Sequence, residues 1–167
     1  MAAIQKSFLS PLGFQLAINK LPTAVFNVTS VVVPGITVED AELNTPFKLI
    51  RYPDRVVYND FVFRFKVDED MGNYLEIFNW MVEIGRPSDF SVGNLNPFTA
   101  TDYYQHYISD GTLVILNSVN KPNIEVTFKD LFPVMISDIE FNTQDTDVTY
   151  IDATVNFRCL SFTIKVV

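Results

Sequence analysis

Hydrophobic and polar residues alternate along most of this 167-residue chain, which is typical of β-strands with one buried face. In the clearest run, Phe61, Phe63 and Phe65 lie on one side of the strand and Arg64 and Lys66 on the other. We also expect strands in several further segments, of which Thr45–Val67 is the longest and contains this run. These are Phe14–Ile18, Ala24–Val33, a run starting at Ile36, the segment Thr45–Val67, Leu113–Asn117, a run starting at Pro122, and Val134–Phe141.

The end of the chain predicts one long strand with an irregularity in it. From Ile151 to Cys159 the odd-numbered positions are apolar, and from Leu160 to Val166 the even-numbered positions are apolar. A one-residue β-bulge near Cys159 and Leu160 would reconcile the two halves. We interpret Cys159 as a small core residue, since it lies in the apolar alternation.

One segment changes from a two-residue period to helical spacing. Apolar residues recur three and four positions apart over this stretch, which predicts an amphipathic helix at about 69–84. Asp68, Glu69 and Asp70 lie where the helix would begin, and carboxylates suit the positive end of a helix dipole. Asp68 is the predicted N-cap, and Gly85 with Pro87 would end the helix.

Two long segments interrupt the regular strands. Thr45–Val67 contains Tyr52-Pro53-Asp54, a turn or bend signal within a strand-like region. Residues 86–110 are rich in Ser, Asn, Gly, Pro and Thr and predict a long loop of the kind that is functional or orders on assembly. The predicted fold is mainly β, an antiparallel sandwich or barrel with one helix packed against it.

Composition fits one domain over residues 1–167 and narrows the classes of function. The chain is 48% hydrophobic, so it can bury a core, yet no run is long enough for a membrane helix. The start, Met1–Ser7, lacks the pattern of a signal peptide, which predicts a cytoplasmic origin. A net charge of −8 argues against a surface that grips nucleic acid.

No catalytic constellation is present in the sequence. The only histidine, His106, has no second histidine and no cysteine near it, so an ordinary loop or interface role is favoured over a metal or catalytic one. The chain has neither a nucleophile-elbow motif nor a phosphate-binding glycine loop. The sequence therefore predicts no enzyme activity and no cofactor.

Carboxylate groups leave alternatives that capping and solvation explain better. The Asp68–Asp70 cluster could be an acid–base pair or a calcium site, but helix capping accounts for it. Asp145, Asp147 and Asp152 could also bind calcium, although their spacing differs from the twelve-residue calcium loop and a solvated turn is favoured. Asn27-Val28-Thr29 is formally a glycosylation sequon, which a strand position and the absent secretory signal argue against.

Aromatic residues and strand edges point towards assembly. Tyr103, Tyr104 and Tyr107 could stack on sugars or bases, but a packed interface between subunits is favoured because aromatic residues are enriched there. Long alternating strands also need their edges paired or covered. A protein that covers these edges with copies of itself would explain why no active site is present.

In their order along the chain, these features resemble the tail tube proteins of T-even-type contractile phages over some 150 residues. The resemblance is one of ordered pattern rather than close identity. It is carried by Leu21-Pro22, Pro34, an extended region Asn44–Val67 containing Arg51-Tyr52-Pro53-Asp54-Arg55, the acidic helix start Val67–Asp70, Trp80, the strand pair 112–129, Phe128-Lys129-Asp130-Leu131-Phe132-Pro133, Ile136–Phe141 and the final apolar strand.

The resemblance implies hexameric rings whose inner sheets join around a channel, stacked through an extended hairpin at about 44–64. DNA would pass through this channel without specific binding, in a tail assembled in the host cytoplasm. The implied partners are copies of the chain itself and sheath, baseplate and neck proteins. The expected interface residues, including the tyrosines of the variable loop 86–110, are Phe47, Leu49, Arg51, Tyr52, Asp54, Arg55, Tyr58, Tyr103, Tyr104 and Tyr107.

Three alternatives to a main tube protein stay open. Within the same fold, the chain could initiate a tube at the baseplate or terminate one at the neck. A monomeric β-sandwich module that binds carbohydrate through the tyrosine-rich loop is a different class of function. An enzyme using His106 or the Asp68–Asp70 cluster is the least favoured.

Overall fold

A computed structural model describes residues 8–9, 13–85, 107–142 and 150–167. Within these residues the chain is mainly β with one α-helix, as the sequence predicts. The strands are β1 (Phe14–Ile18), β2 (Val28–Val32), β3 (Ile36–Asn44), β4 (Leu49–Tyr58), β5 (Phe61–Lys66), β6 (Ser109–Leu116), β7 (Pro122–Ile136), β8 (Asp152–Arg158) and β9 (Ser161–Val166), and helix α1 spans Gly72–Gly85.

Seven strands form one antiparallel sheet in the order β1-β6-β7-β8-β5-β2, and β9 pairs with β7 beside β8. Strands β3 and β4 form a separate two-stranded sheet. The inward residues of the large sheet contribute to one hydrophobic core, which α1 closes with Ile77 and Trp80. Strand β5 supplies Phe61, Phe63 and Phe65 to this core, all fully buried, so the predicted alternation is confirmed.

The predicted strand Ala24–Val33 is wrong over its first four residues, which form a short 3-10 helix, Ala24–Asn27. Here backbone groups bond locally instead of to a neighbouring strand. Val25 N–H donates to Leu21 C=O, and Phe26 N–H donates to Thr23 C=O. Ala24 N–H donates to the Glu76 carboxylate of α1 at 3.0 Å, which fixes this helix against the other one.

The helix prediction is correct in place, but its start is Gly72 and not residue 69. Asp68 is not its N-cap, because the first helical bond runs from Leu75 N–H to Met71 C=O. The preceding turn places Met71 at φ 54°, which brings the chain round before the helix begins. The Asp68–Asp70 carboxylates therefore precede the first helical turn.

Strand β7 is longer than expected, because it includes the first residues of the separate strand predicted at Val134–Phe141. The predicted strand Val134–Phe141 is wrong beyond Ile136, where β7 ends. Pro122–Ile136 runs unbroken because one extra residue near Asp130 is accommodated as a bulge, with Asp130 at φ 56°. The first half of β7 pairs with β6 and β9, and the second half pairs with β8.

An interruption at the predicted place divides the last long strand into two, but the predicted one-residue bulge is wrong, because both strands advance by three residues across it. Strands β8 and β9 follow one another along the same side of β7, with Phe132 opposite Arg158 and Lys129 opposite Ser161. The regular strand is interrupted at Cys159 and Leu160, although the Leu160 N–H still donates to Lys129 C=O. The predicted loop 86–110 ends earlier than expected, since β6 starts at Ser109, and residues 86–106 lie outside the described residues.

Candidate assembly surface

The extended hairpin exists, but its position differs from the predicted 44–64. It is formed by β3 and β4 and spans Ile36–Tyr58, with its turn at Thr45–Lys48. The Thr45 hydroxyl donates to Lys48 C=O at 2.7 Å and accepts from Lys48 N–H at 3.1 Å, which closes the turn. Phe47 at the tip is 96% exposed.

Tyr52-Pro53-Asp54 is not the hairpin turn, because Tyr52 and Pro53 pair within β4 with Ala41 and Asp40. Strand β4 has one extra residue between the pairs Val38–Val56 and Asp40–Pro53, which is a bulge containing Asp54 and Arg55. Proline cannot donate to a strand ladder and is tolerated beside bulges and on edges. The sequence signal was therefore a genuine break in regular pairing that does not reverse the chain.

Neither face of the hairpin is covered by the rest of the described chain. All nine residues of β3 are exposed, and β4 is exposed except for partly buried Ile50, Val57 and Tyr58. Many of the exposed side chains are apolar, and an isolated two-stranded hairpin is marginally stable in water. The exposed apolar residues of this hairpin surface are Ile36, Val38, Leu43, Phe47, Leu49, Tyr52 and Val56.

Charged pairs cross the hairpin between its strands. Arg51 lies 2.9 Å from Glu42 and 3.5 Å from Asp40, and Arg55 lies 2.6 Å from Glu39. The hydrogen bond to Glu39 and its charge raise the pKa of the Arg55 guanidinium above its ordinary value. These pairs are compatible with the register of the hairpin and add little to its stability, since exposed ion pairs are screened.

One aromatic contact joins the hairpin to the large sheet. The Tyr58 ring, at the end of β4, meets the edge of Phe162 on β9 with ring centroids 5.3 Å apart. Phe162 in turn contacts Phe128 in the core at 5.8 Å. Tyr58, an expected interface residue, therefore lies at the base of the hairpin, where it is partly buried.

The other expected interface residues divide into three groups. Phe47, Leu49, Arg51, Tyr52, Asp54 and Arg55 all lie exposed on the hairpin. Tyr107 is buried within the chain, and its C=O accepts a hydrogen bond from Trp80 Nε1 at 3.0 Å, so its side chain offers little surface to a neighbour. Tyr103 and Tyr104 lie outside the described residues, as does His106.

Two of the carboxylates singled out in the sequence, Asp68 and Asp152, make contacts within the fold. Asp68 accepts a hydrogen bond from the Asn27 side chain, and Asp152 lies 3.4 Å from Lys66. Among the described residues, no group of three His, Cys, Asp or Glu side chains could hold a metal ion. Asp145 and Asp147 lie outside these residues. The acid–base and calcium interpretations of Asp68 gain no partner here.

Asn73 is a buried polar residue that the sequence pattern does not predict. Its side-chain amide donates to Lys66 C=O at 2.7 Å, and its side-chain oxygen accepts from Asp68 N–H at 3.2 Å. It therefore joins the end of β5 to the start of α1. Nothing in the sequence marks Asn73 except its polarity on the buried side of an amphipathic helix.

The first arm of the hairpin, β3, begins at Ile36, where a strand is predicted, but the predicted hairpin begins only at about residue 44. The signal was two pairs of apolar residues, Ile36 with Val38 and Ala41 with Leu43. Each pair has the two-residue spacing of a strand, and the two pairs lie on opposite faces. Within the part of the chain that is described, no helix is long and apolar enough to cross a membrane.

Residues 12–164 match the family model described as phage tail tube protein. This match covers most of the chain and includes the hairpin, α1 and the large sheet up to residue 164 in β9. Curated protein sequences include no match to the chain.

Solved structures with the same fold come from contractile injection systems. A chain from the tube-terminating cap of the anti-feeding prophage is 12% identical, with a TM-score of 0.66 over 100% of this chain and 96% of that one. A chain from the sheath–tube complex of the extracellular contractile injection system PVC, in its extended state, is 12% identical, with a TM-score of 0.64 over 98% and 95%. A chain from the PVC sheath/tube terminator is 14% identical, with a TM-score of 0.63 over 96% and 99%. At these identities the likeness establishes the fold.

Proposed function

This chain belongs to the phage tail tube protein family, and from that membership we propose that it forms the inner tube of a contractile tail by stacking hexameric rings. Each subunit contributes the large sheet to its ring and extends the hairpin β3–β4 to a neighbouring ring. The whole of residues 1–167 acts as a single tube domain. The protein is a structural component and not an enzyme.

The observation that carries this proposal is the exposed hairpin. Its apolar side chains have no cover from the described part of the same chain, and its tip residue Phe47 is almost fully exposed. Burying such residues against a neighbour removes apolar area from water, which stabilises association. Tyr58 joins the base of the hairpin to the large sheet, and the hairpin offers its exposed surface to a neighbouring subunit.

Charge supports a channel that DNA crosses without adhering. Each chain carries a net charge of −8, so six copies at −8 each give −48 per ring. A channel wall of that sign repels phosphate and keeps the DNA mobile. In this proposal the assembled particle is a phage tail built in the host cytoplasm, with sheath, baseplate and neck proteins as further partners.

The second candidate is a ring that initiates or ends a tube. It has the support that chains from a tube-terminating cap and from a sheath/tube terminator share this fold as closely as a chain from a sheath–tube complex does. A terminator would form rings without continuing to stack. Family membership argues against the carbohydrate-binding module, and no feature of the described residues supports that alternative.

The test is negative-stain electron microscopy of the purified protein over a range of concentrations. Long hollow tubes with six-fold end views support the main tube function, and isolated rings support the terminator or initiator. A stable monomer at every concentration would contradict both candidates.

The hairpin has its own test in the variant Phe47→Asp. We expect the free energy of unfolding of the subunit to be unchanged. Tubes should be shortened or replaced by single rings, because a carboxylate would enter an apolar contact between rings. Val119→Asp is the matched control, since Val119 is also an exposed apolar residue in a turn, outside the hairpin. Tubes of normal length from Phe47→Asp would refute the assigned role of the tip.

A further inference from the structure

Two short connectors join the hairpin β3–β4 to the rest of the subunit. Residues 33–35 lead from β2 into β3, and Asn59 with Asp60 leads from β4 into β5. One main-chain hydrogen bond crosses between the connectors, from Asn59 N–H to Gly35 C=O at 3.1 Å. Among the described residues, β3 and β4 pair only with each other, so no strand ladder fixes the direction in which the hairpin leaves the large sheet.

Connectors of this length alone would let the hairpin swing as a rigid arm, because a hinge needs only a few loop residues to absorb the change in backbone angles. A swinging hairpin would present its exposed apolar residues to a neighbouring subunit in many directions. Its apparent affinity for that neighbour would then fall in proportion to the fraction of time spent in the correct direction.

A contact between aromatic rings opposes such a swing. The ring of Tyr58, the last residue of β4, meets Phe162 of β9 with centroids 5.3 Å apart and planes at 71°, which is the edge-to-face geometry that aromatic pairs favour. Phe162 contacts Phe128 at 5.8 Å, and Phe128 contacts Phe61 at 4.4 Å. Phe128 and Phe61 are fully buried, so these contacts anchor Tyr58 to the hydrophobic core.

The rings and the backbone together enclose the second connector. Along the chain, Tyr58 leads through Asn59 and Asp60 to Phe61, and the ring contacts lead back to the same Phe61. The base of the hairpin is thus held at two points, by the backbone and by packing, which defines a direction that one point would leave free. The ion pair between Asp60 and Arg158, at 3.4 Å, adds little because it is exposed.

We propose that Tyr58 is a positioning residue, which holds the hairpin in one direction in the free subunit, before the hairpin meets a neighbouring ring. A preorganised hairpin loses less conformational freedom on association. Tyr58 is partly buried at the base, so it acts through the exposed hairpin residues that it orients. This inference deepens the proposed function and rests on stacking through the hairpin.

The experiment measures the direction of the hairpin in dilute, unassembled protein with two spin labels. One label is attached at Lys48→Cys in the hairpin turn and the other at Lys129→Cys on β7, both exposed positions, in a chain in which Cys159→Ser removes the native thiol. Double electron–electron resonance gives the distribution of distances between the labels. We expect one narrow distribution from this parent, and at least twice that width from Tyr58→Ala with unchanged circular dichroism.

Matched variants separate the ring contact from other effects. Tyr58→Phe keeps the ring and should retain the narrow distribution, and Tyr52→Ala removes a ring elsewhere on β4 and should also retain it. Phe162→Leu removes the other ring of the pair and should widen the distribution. Equal widths in Tyr58→Ala and the parent, or a Tyr58→Phe distribution as wide as that of Tyr58→Ala, would overturn the inference. Several distances in the parent would overturn it without any variant having to fold.

Tube assembly of the unlabelled proteins gives a readout that a merely structural role would not move. We expect Tyr58→Ala to raise the concentration needed for tubes about tenfold, as for a hairpin that is correctly directed for a tenth of the time. Tyr58→Phe should assemble like the unmutated protein. Unchanged assembly of Tyr58→Ala would overturn the positioning role while the tube function stands. Unmutated protein that never forms rings or tubes would instead contradict the proposed function itself.

Discussion

Strands β5 and β3 show how similar alternation leads to opposite outcomes. Both carry apolar residues at every second position over part of their length. In β5 the three phenylalanines are fully buried in the core, whereas every residue of β3 is exposed. The alternation defines a strand, but the layer that covers it decides whether its apolar face is a core or an interface.

The two regions are also held together by different forces. The core contains a cluster of aromatic rings, with Phe61 and Phe128 centroids 4.4 Å apart and Phe63 stacked on Phe157 at 5.5 Å. Such packing stabilises the fold through buried area and ring geometry. The hairpin is held by main-chain pairing, to which its exposed ion pairs add little, so in this proposal its stable form is the assembled one.

The largest expected effect comes from removing a core ring. Phe63→Ala should lower the free energy of unfolding by about 3–5 kcal/mol, because it leaves a cavity among the stacked rings. Tyr52→Ala, an aromatic truncation on the hairpin, should change it by no more than about 0.5 kcal/mol. Urea unfolding measures both. Equal losses would show that the hairpin is part of the same stabilising core, which would contradict the difference drawn between the two regions.

An intermediate effect is expected at the junction between β5 and α1. Asn73→Ala should cost about 1–3 kcal/mol, because it leaves Lys66 C=O and Asp68 N–H without their side-chain partner in a buried position. Asn79→Ala, on the exposed side of the same helix, is the control and should be near neutral. A neutral Asn73→Ala would mean that water replaces both bonds and that the junction is less enclosed than the core.

A small effect is expected from the ion pair between Arg55 and Glu39 in the hairpin. A double-mutant cycle with Arg55→Ala and Glu39→Ala should give a coupling energy for unfolding close to zero that falls further as salt is added, since both side chains are in water. A strong coupling that salt does not change would indicate that this part of the hairpin is shielded even in the monomer.

The smallest effect is a pH dependence at Cys159, between β8 and β9. Burial, with a lesser contribution from Asp60, raises the pKa of the Cys159 thiol above the ordinary 9.0. The unfolded chain therefore releases this proton first, so the contribution to stability is complete below pH 9 and declines as the pH rises through that value. Cys159→Ser should remove this part of the decline between pH 8 and 10 in urea unfolding. An identical decline in both proteins would contradict the shift.

Much of the fold could be predicted because period and turn chemistry are local properties. The buried face of β5, the place of α1 and the interruption at Cys159 and Leu160 all follow from the spacing of apolar residues. The errors occur where distant partners satisfy the backbone. Ala24 N–H bonds to Glu76, fifty-two positions away, and this contact with α1 replaces the predicted strand by a 3-10 helix.

An extended hairpin was predicted correctly, but its predicted bounds of about 44–64 differ from the observed Ile36–Tyr58. Pro53 indicated a reversal of the chain, yet cross-strand pairing makes it part of β4 beside a bulge. The exposure of Ile164 and Val166 could not be foreseen, because their alternation is that of a core strand and only the absence of a covering layer distinguishes them.

Local sequence pattern is sufficient to predict the strand-rich class, the position of the helix and the apolar faces, because these depend on side-chain period over a few residues. Only the tertiary structure decided which apolar faces are buried and which remain on the surface. That outcome depends on contacts between residues far apart in the chain, such as Val126 beside Ile164, and local patterns contain no information about the layer above them.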